Sequence, residues 1–317
     1  MRPSFQQAIA ALGDVLTPST IQATAELLAP GAAVPDAAQG LQHHDQPYGP
    51  HPRHRLDLYG IRPDGPLRDI LLFVHGGGFD GGDKGGANTP FYRNVGAWAA
   101  AHDMLGVIIN YRLAPSHVWP CGHEDVIAVI HWLQQYAQRL GGNPRRIWLM
   151  GHSAGAAHVA ATVGQFTRQA RAHELAGALM LSGLYDPAVD IDHPGTLSYY
   201  GIRPRMRASH SSLHELAQAR LPCLFACAQF DTPLFRQQAT RVSEAFLIQQ
   251  GQLPPLIDLP HHNHVSPVFV LGSADDDVGP QLMSFIRTGR LPSPSADEDE
   301  DMLDGLDIDA LAGNNGF

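Results

Sequence analysis

Short continuous apolar runs alternate along the chain with longer stretches in which apolar residues recur at helical spacing. The runs predict strands near 56–60, 70–75, 104–110, 146–151, 177–182, 221–228 and 255–259. The periodic stretches predict helices near 91–101, 123–140, 154–170, 213–218, 234–249 and 277–287. Strands apolar at consecutive positions are buried on both faces, and strands separated by helices build a mostly parallel sheet covered on both sides. The fold class is therefore α/β, and 317 residues with one such alternation and no repeat fit a single core. Two stretches break the alternation. Residues 1–30 carry an amphipathic helical pattern (Phe5, Ile9, Leu12, then Ile21, Ala25, Leu28), and 188–212 is rich in His, Pro, Tyr and Arg.

Charge changes the picture only at the C-terminus. Of the net −10, residues 293–317 contribute eight acidic side chains and no Lys or Arg, so the remainder carries about −2. That segment, with Asp297-Glu-Asp-Glu-Asp301 after Pro292 and Pro294, reads as a disordered, solubilising tail. Its later Met302, Leu303, Leu306, Ile308 and Leu311 would suit ordering as a helix on a partner. No basic stripe supports nucleic-acid binding. Met1-Arg-Pro-Ser-Phe5 lacks the apolar core of a signal peptide, and no apolar run is long enough to span a bilayer, so the expected location is cytoplasmic and no membrane partner is expected. Cys223 and Cys227 lie on one predicted strand, ~13 Å apart along it, too far to bridge, and read as small core residues; with Cys121 they make no disulfide framework.

The chemistry starts at Gly151-His-Ser-Ala-Gly155, between an apolar strand and an alanine-rich helix pattern. A serine in so sharp a strand-to-helix turn leaves no room for side chains two positions away, hence the flanking glycines, and the helix brings its positive end beneath any anion formed there. Gly272-Ser273-Ala274 and Ser182-Gly183 lack the strand, second glycine or helix that would make them rivals. Upstream, the strand Asp69–Val74 ends in His75-Gly76-Gly77-Gly78-Phe79, whose bare backbone N–H groups suit an oxyanion. The hole is assigned to the amides of Gly77, Gly78 and Ala154. A phosphate loop over Gly76–Gly86 with Lys84 is disfavoured, because no Lys-Ser or Lys-Thr follows and Pro90 blocks an immediate helix.

His75-Gly-Gly-Gly-Phe79 followed 78 residues later by Ser153 resembles the α/β-hydrolase superfamily, in particular carboxylesterases of the hormone-sensitive-lipase and feruloyl-esterase-like branches. The likeness runs over roughly residues 45–290 and includes Tyr48-Gly49, Arg55–Tyr59, Asn110-Tyr-Arg-Leu-Ala-Pro115 and Asp125. Arylformamidases that cleave formylkynurenine share much of it. The resemblance implies a triad in the chain order serine, acid, histidine. Asp231, after the strand-like Leu221–Phe230, is the expected acid; Asp258 is the rival, inside the next strand pattern. Of His261, His262 and His264, the resemblance favours His264 as general base, with His262 second. A metal reading of these histidines lacks helical i, i+4 spacing and any His-Glu-x-x-His, so no metal or cofactor is expected. His123-Glu-Asp125 and the scattered His43, His44, His51 and His54 read as solvated or structural.

In the resembled esterases an N-terminal helical segment caps the acyl pocket. The expected organisation is thus an N-terminal cap segment at 1–45, an α/β-hydrolase catalytic domain at 46–292 with a cap insertion at 188–212, and the tail at 293–317. Phe79, Tyr185, Tyr199 and Tyr200 are the expected substrate-binding residues. The expected activity is hydrolysis of small-molecule carboxylic esters through an acyl-enzyme on Ser153. Arylformamidase or another amidase is the alternative, and a non-catalytic receptor of the same fold, as in relatives that lost the triad histidine, is a third. A homodimer stays open.

Overall fold

The computed structural model describes residues 1–33, 41–85, 89–190 and 192–291. Eight strands form one sheet: β1 (Leu41–Pro47), β2 (Arg55–Ile61), β3 (Arg68–Val74), β4 (Leu105–Ile109), β5 (Gly142–His152), β6 (Gly177–Leu181), β7 (Cys223–Phe230) and β8 (Leu256–Asn263). Their order is β1-β2-β4-β3-β5-β6-β7-β8. β2 runs antiparallel to both β1 and β4, and every pairing from β4 to β8 is parallel.

Helices cover both faces for the reason the consecutive apolar runs implied. Ile70, Leu72 and Val74 of β3 point into a core shared with α4 (Cys121–Tyr136) and α5 (Ala154–Arg168), as do Val107 and Ile109 of β4. Leu71 and Phe73, with Ile108, Trp148 and Met150, point into a second core closed by α3 (Arg93–Ala101) and α11 (Gly279–Thr288). Period-2 alternation thus buries each strand twice.

Ahead of the sheet lie α1 (Pro3–Leu12) and α2 (Pro18–Leu28), the latter capped by the Thr17 hydroxyl, which accepts from the Thr20 N–H. The 188–212 stretch contains α6 (Pro194–Tyr200) and α7 (Pro204–Ala208), followed by α8 (Leu213–Gln218). The long α9 (Pro233–Gln250) joins β7 to β8, and the short α10 (Ser266–Phe269) follows β8. The boundary expected between residues 45 and 46 falls inside β1, so the chain enters the sheet earlier than its apolar pattern indicates. β8 likewise extends to Asn263 and takes in His261 and His262, which the sequence reading had placed after it. The acidic tail expected at 293–317 lies outside the described residues.

Candidate active site

Ser153 sits between β5 and α5 with φ 55° and ψ −122°, a backbone conformation that costs a non-glycine residue on the order of 1–3 kcal/mol. Its neighbours hold it there. The Ser153 N–H donates to Leu181 O at 2.9 Å, and Ala157 N–H donates to Ser153 O at 3.2 Å. A side chain at Gly151 would come within 2.5 Å of the Gly155 carbonyl oxygen, and one at Gly155 would run into the Val74 carbonyl. The positive end of α5 lies directly under the serine.

The loop after β3 approaches the same point. A Cβ on Gly76 would be 3.2 Å from that of Ser153. Gly77 (φ 135°) and Gly78 (φ 62°) adopt conformations open mainly to glycine. The loop is folded on itself by Gly81 N–H donating to Gly77 O at 2.9 Å, and tied down by Ala114 N–H donating to Phe79 O at 3.0 Å. Among the described residues, the Gly77 and Gly78 N–H groups donate no hydrogen bond within the protein. At its root His75 is fully buried, donates from Nδ1 to Gly76 O at 2.6 Å and stacks on Tyr111. Burial pushes the His75 imidazole down to about 4, so it stays neutral. Lys84, weighed above for phosphate, is committed to Asp57 at 2.7 Å and Asp45 at 2.9 Å.

Asp231 follows β7 at its C-terminal end and is fully buried. Its Oδ1 accepts from Nδ1 of His264 at 2.6 Å. Its Oδ2 accepts from the Ser182 hydroxyl at 2.6 Å and the Ala228 N–H at 2.8 Å, with the Cys227 thiol at 3.5 Å. Burial alone would raise its proton affinity, but His264, Ser182 and the Ala228 amide outweigh burial and hold the carboxyl below the ordinary range. A carboxylate only accepts, so His264 carries its proton on Nδ1 and presents a lone pair at Nε2. Nε2 is buried without a hydrogen-bond partner among the described residues. Among the described residues no hydrogen bond joins it to Ser153.

The rival residues lie elsewhere. Asp258 is exposed on β8. His262 bonds the Ser266 hydroxyl at 2.9 Å and Asp277 at 3.0 Å, and His261 is exposed. Among the described residues no group of three or more His, Cys, Asp or Glu side chains is arranged to hold a metal. Asp125 is used structurally, between Arg112 at 2.6 Å and His54 at 3.1 Å, and His123 bonds Gln165 at 3.1 Å.

Ser153, Ala154, His264, Gly77, Gly78 and Phe79 all line one cavity of about 890 Å³. Leu16, Thr17, Pro18, Ile21 and Ala25, from α2 and the turn before it, form part of its wall. Asp190 and His193–Thr196 form another part. Three expected substrate-binding residues are not in it. Tyr185 packs in the core under the sheet, edge-on to Phe225 at 5.4 Å. Tyr199 and Tyr200 lie behind Phe79, one stacked on its ring at 5.0 Å and one edge-on at 5.3 Å, and the Tyr199 hydroxyl accepts from the Gly122 N–H. Trp119 packs against both rings and His158 against that of Tyr199, and neither ring lines the cavity.

The family model described as the alpha/beta hydrolase fold matches residues 71–258, well over half of the chain. The chain belongs to the alpha/beta hydrolase family. Among similar proteins, carboxylesterase NlhH of Mycobacterium tuberculosis is 37% identical over 101 residues, covering 31% of this chain and 30% of its own. Phenmedipham hydrolase of Pseudarthrobacter oxydans is 32% identical over 142 residues, covering 42% and 27%. The chain thus spans less than a third of the length of these curated relatives. Among solved structures, esterase B of Lactobacillus rhamnosis with a tributyrin phosphonate inhibitor superposes with a TM-score of 0.69 at 15% identity over 96% of this chain and 99% of that one. The carboxylesterase EstE1, cloned from a metagenomic library, gives 0.63 at 20% identity over 87% and 99%.

One feature of the site carries no motif of its own in the sequence. Ser182 was considered only as a competing nucleophile, yet it lies at the end of β6 with φ 47° and turns its hydroxyl onto Asp231. Its position one residue past an apolar strand beside the elbow strand is the signal that could have found it.

Proposed function

We propose that the protein is a serine carboxylesterase acting on small-molecule esters, with Ser153 as nucleophile, His264 as general base and acid, Asp231 as its partner, and the Gly77, Gly78 and Ala154 amides as oxyanion hole. The observation that carries this reading is the His264–Asp231 hydrogen bond at 2.6 Å, which leaves the free Nε2 lone pair in the cavity that also holds Ser153. Nε2 takes the Ser153 hydroxyl proton as Oγ bonds to the ester carbonyl carbon, and the carbonyl electron pair becomes the oxyanion. The oxyanion collapses, the carbon–alkoxy bond breaks, and His264 returns the proton to the leaving alcohol. Water then attacks the acyl-enzyme, giving its proton to His264; Oγ leaves as the acid departs and recovers that proton.

The esterase names of similar proteins and of solved structures support ester over amide cleavage. The presence of the triad histidine speaks against a receptor that has lost it. Three free cysteines, Cys121, Cys223 and Cys227, suit a reducing, cytoplasmic location, and a monomer or homodimer would serve the site equally. Among the described residues no helix is long and apolar enough to cross a membrane. A p-nitrophenyl ester series from acetate to dodecanoate, run beside N-formylkynurenine, tests the reading. Turnover peaking on short esters is expected; fast deformylation with weak ester cleavage would transfer the assignment to arylformamidase.

A further inference from the structure

The ester-hydrolase reading fixes where the two halves of a substrate lie. The leaving alcohol must reach His264, and the ring beside His264 is Phe235 at 4.2 Å, with Val265 and Phe269 also lining the cavity. Phe269 in turn stacks on Phe91 at 3.9 Å, so this side of the cavity is apolar. The side over the oxyanion loop is built differently. The His193 ring lies against Gly78, where an added Cβ would be 3.0 Å from its Cε1 and 3.6 Å from its Nε2, with Oδ1 of Asp80 at 3.5 Å from the same point. His193 is held in place from three directions. Its Nδ1 caps α6 by accepting the Thr196 N–H at 3.3 Å, its backbone N–H donates to Asp190 at 3.2 Å, and the following Gly195 rests on the Gly78 carbonyl.

The cap settles the tautomer. With its Nδ1 lone pair engaged by a backbone donor, a neutral His193 carries its proton on Nε2. His193 is exposed to solvent, and among the described residues no hydrogen bond engages its Nε2, so water meets that N–H until a substrate displaces it. A donor beside the oxyanion loop, at the carbonyl end of the acyl group, is placed for an acceptor atom on the substrate. The acceptor is not a carboxylate: Asp80, Asp83 and Asp190 line this cavity and no Lys or Arg does.

We propose that His193 is a specificity-determining residue whose Nε2–H binds an uncharged oxygen on the acyl group, so that the preferred substrates are esters of neutral, oxygen-bearing acids with apolar alcohols. The test compares p-nitrophenyl methoxyacetate with p-nitrophenyl butyrate, in which one oxygen replaces one methylene, in the wild type and in His193→Ser. Serine retains a hydroxyl to cap α6 but cannot reach over Gly78. The α-oxygen activates the ester toward any nucleophile, so the quantity read is the change between proteins in the methoxyacetate-to-butyrate ratio of kcat/KM. That ratio is expected to fall about fivefold in His193→Ser, the scale of one net hydrogen bond, with the melting temperature maintained. An unchanged ratio, with both esters slowed equally or not at all, overturns the proposal, as does wild-type turnover of p-nitrophenyl hemisuccinate as fast as butyrate. Wild-type turnover that survives Ser153→Ala would instead defeat the esterase reading on which the proposal rests.

Discussion

The Ser182 hydroxyl donates to Oδ2 of Asp231 at 2.6 Å, while Oδ1 of the same carboxylate accepts from His264 at 2.6 Å. The two bonds fix the carboxylate in rotation and stabilise its charge from both ends. Removing the hydroxyl leaves a buried carboxylate short of a donor, which raises the proton affinity of the Asp231–His264 pair as a unit. Ser182→Ala is expected to lower kcat/KM about tenfold, ~1.4 kcal/mol, and to move the acid limb of its pH profile to higher pH. A pH profile superimposable on the wild type would contradict this role.

Stability should fall in mild acid for a reason tied to buried imidazoles. Burial holds His75 and His123 down to about 4 and His152 down to about 3, and His158 well below the ordinary value. An unfolded chain protonates these rings near pH 6.5, whereas the folded chain does not until far lower. Between those values the unfolded state binds more protons, so unfolding becomes easier as pH drops, with a slope of up to about 5 kcal/mol per pH unit for the four rings together. Melting temperature measured from pH 8 to 4.5 is expected to hold above pH 7 and drop steeply below 6; a flat profile would show that these rings are not neutral in the fold.

The glycine loop after β3, proposed to hold the oxyanion, makes a separable prediction. At Gly77, with φ 135°, a methyl group would run into the Gly81 carbonyl, so the loop must shift and take the Gly77 and Gly78 amides with it. Gly77→Ala is expected to lower kcat about 100- to 1,000-fold while changing KM little, as for loss of an oxyanion donor. Steady-state kinetics beside a thermal melt distinguish this from unfolding.

The wall contributed by α2 should set acyl or alcohol length. Ala25 lines the cavity, and Ala25→Trp fills part of it. The octanoate-to-acetate ratio of kcat/KM for p-nitrophenyl esters is expected to fall about tenfold, the scale on which apolar pockets discriminate chain size. An unchanged ratio would mean that long chains leave the cavity by another side.

What could be read in advance followed local constraint. Seven strands and the helices α3, α4, α5, α8, α9 and α11 announced themselves because a doubly buried strand needs consecutive apolar residues and a covering helix needs one apolar face. β1 escaped: Leu41-Gln-His-His-Asp-Gln-Pro47 is polar, edge-placed and irregular in register, so its pairing comes from β2 rather than from its own side chains. α6, α7 and α10 are too short to display a period. Ser153 and the glycine loop were legible because their backbones need glycine at fixed offsets. The aromatic residues of α6 were not. Whether Tyr199 faces the cavity or the back of Phe79 depends on how the 188–212 stretch folds over the loop, and composition carries no direction. Ser182 was missed because its role comes from β6 lying beside both β5 and β7, a relation visible only in the sheet order.

The central claim is that Ser153 is the nucleophile, and the most direct test is turnover of p-nitrophenyl butyrate by the wild type and Ser153→Ala, with stoichiometric labelling of the wild type by a phosphonate ester. Loss of activity by several orders of magnitude, on the order of 10⁶, and of all labelling in Ser153→Ala is the predicted result. Retention of more than about a tenth of the wild-type rate by a folded Ser153→Ala protein would contradict it.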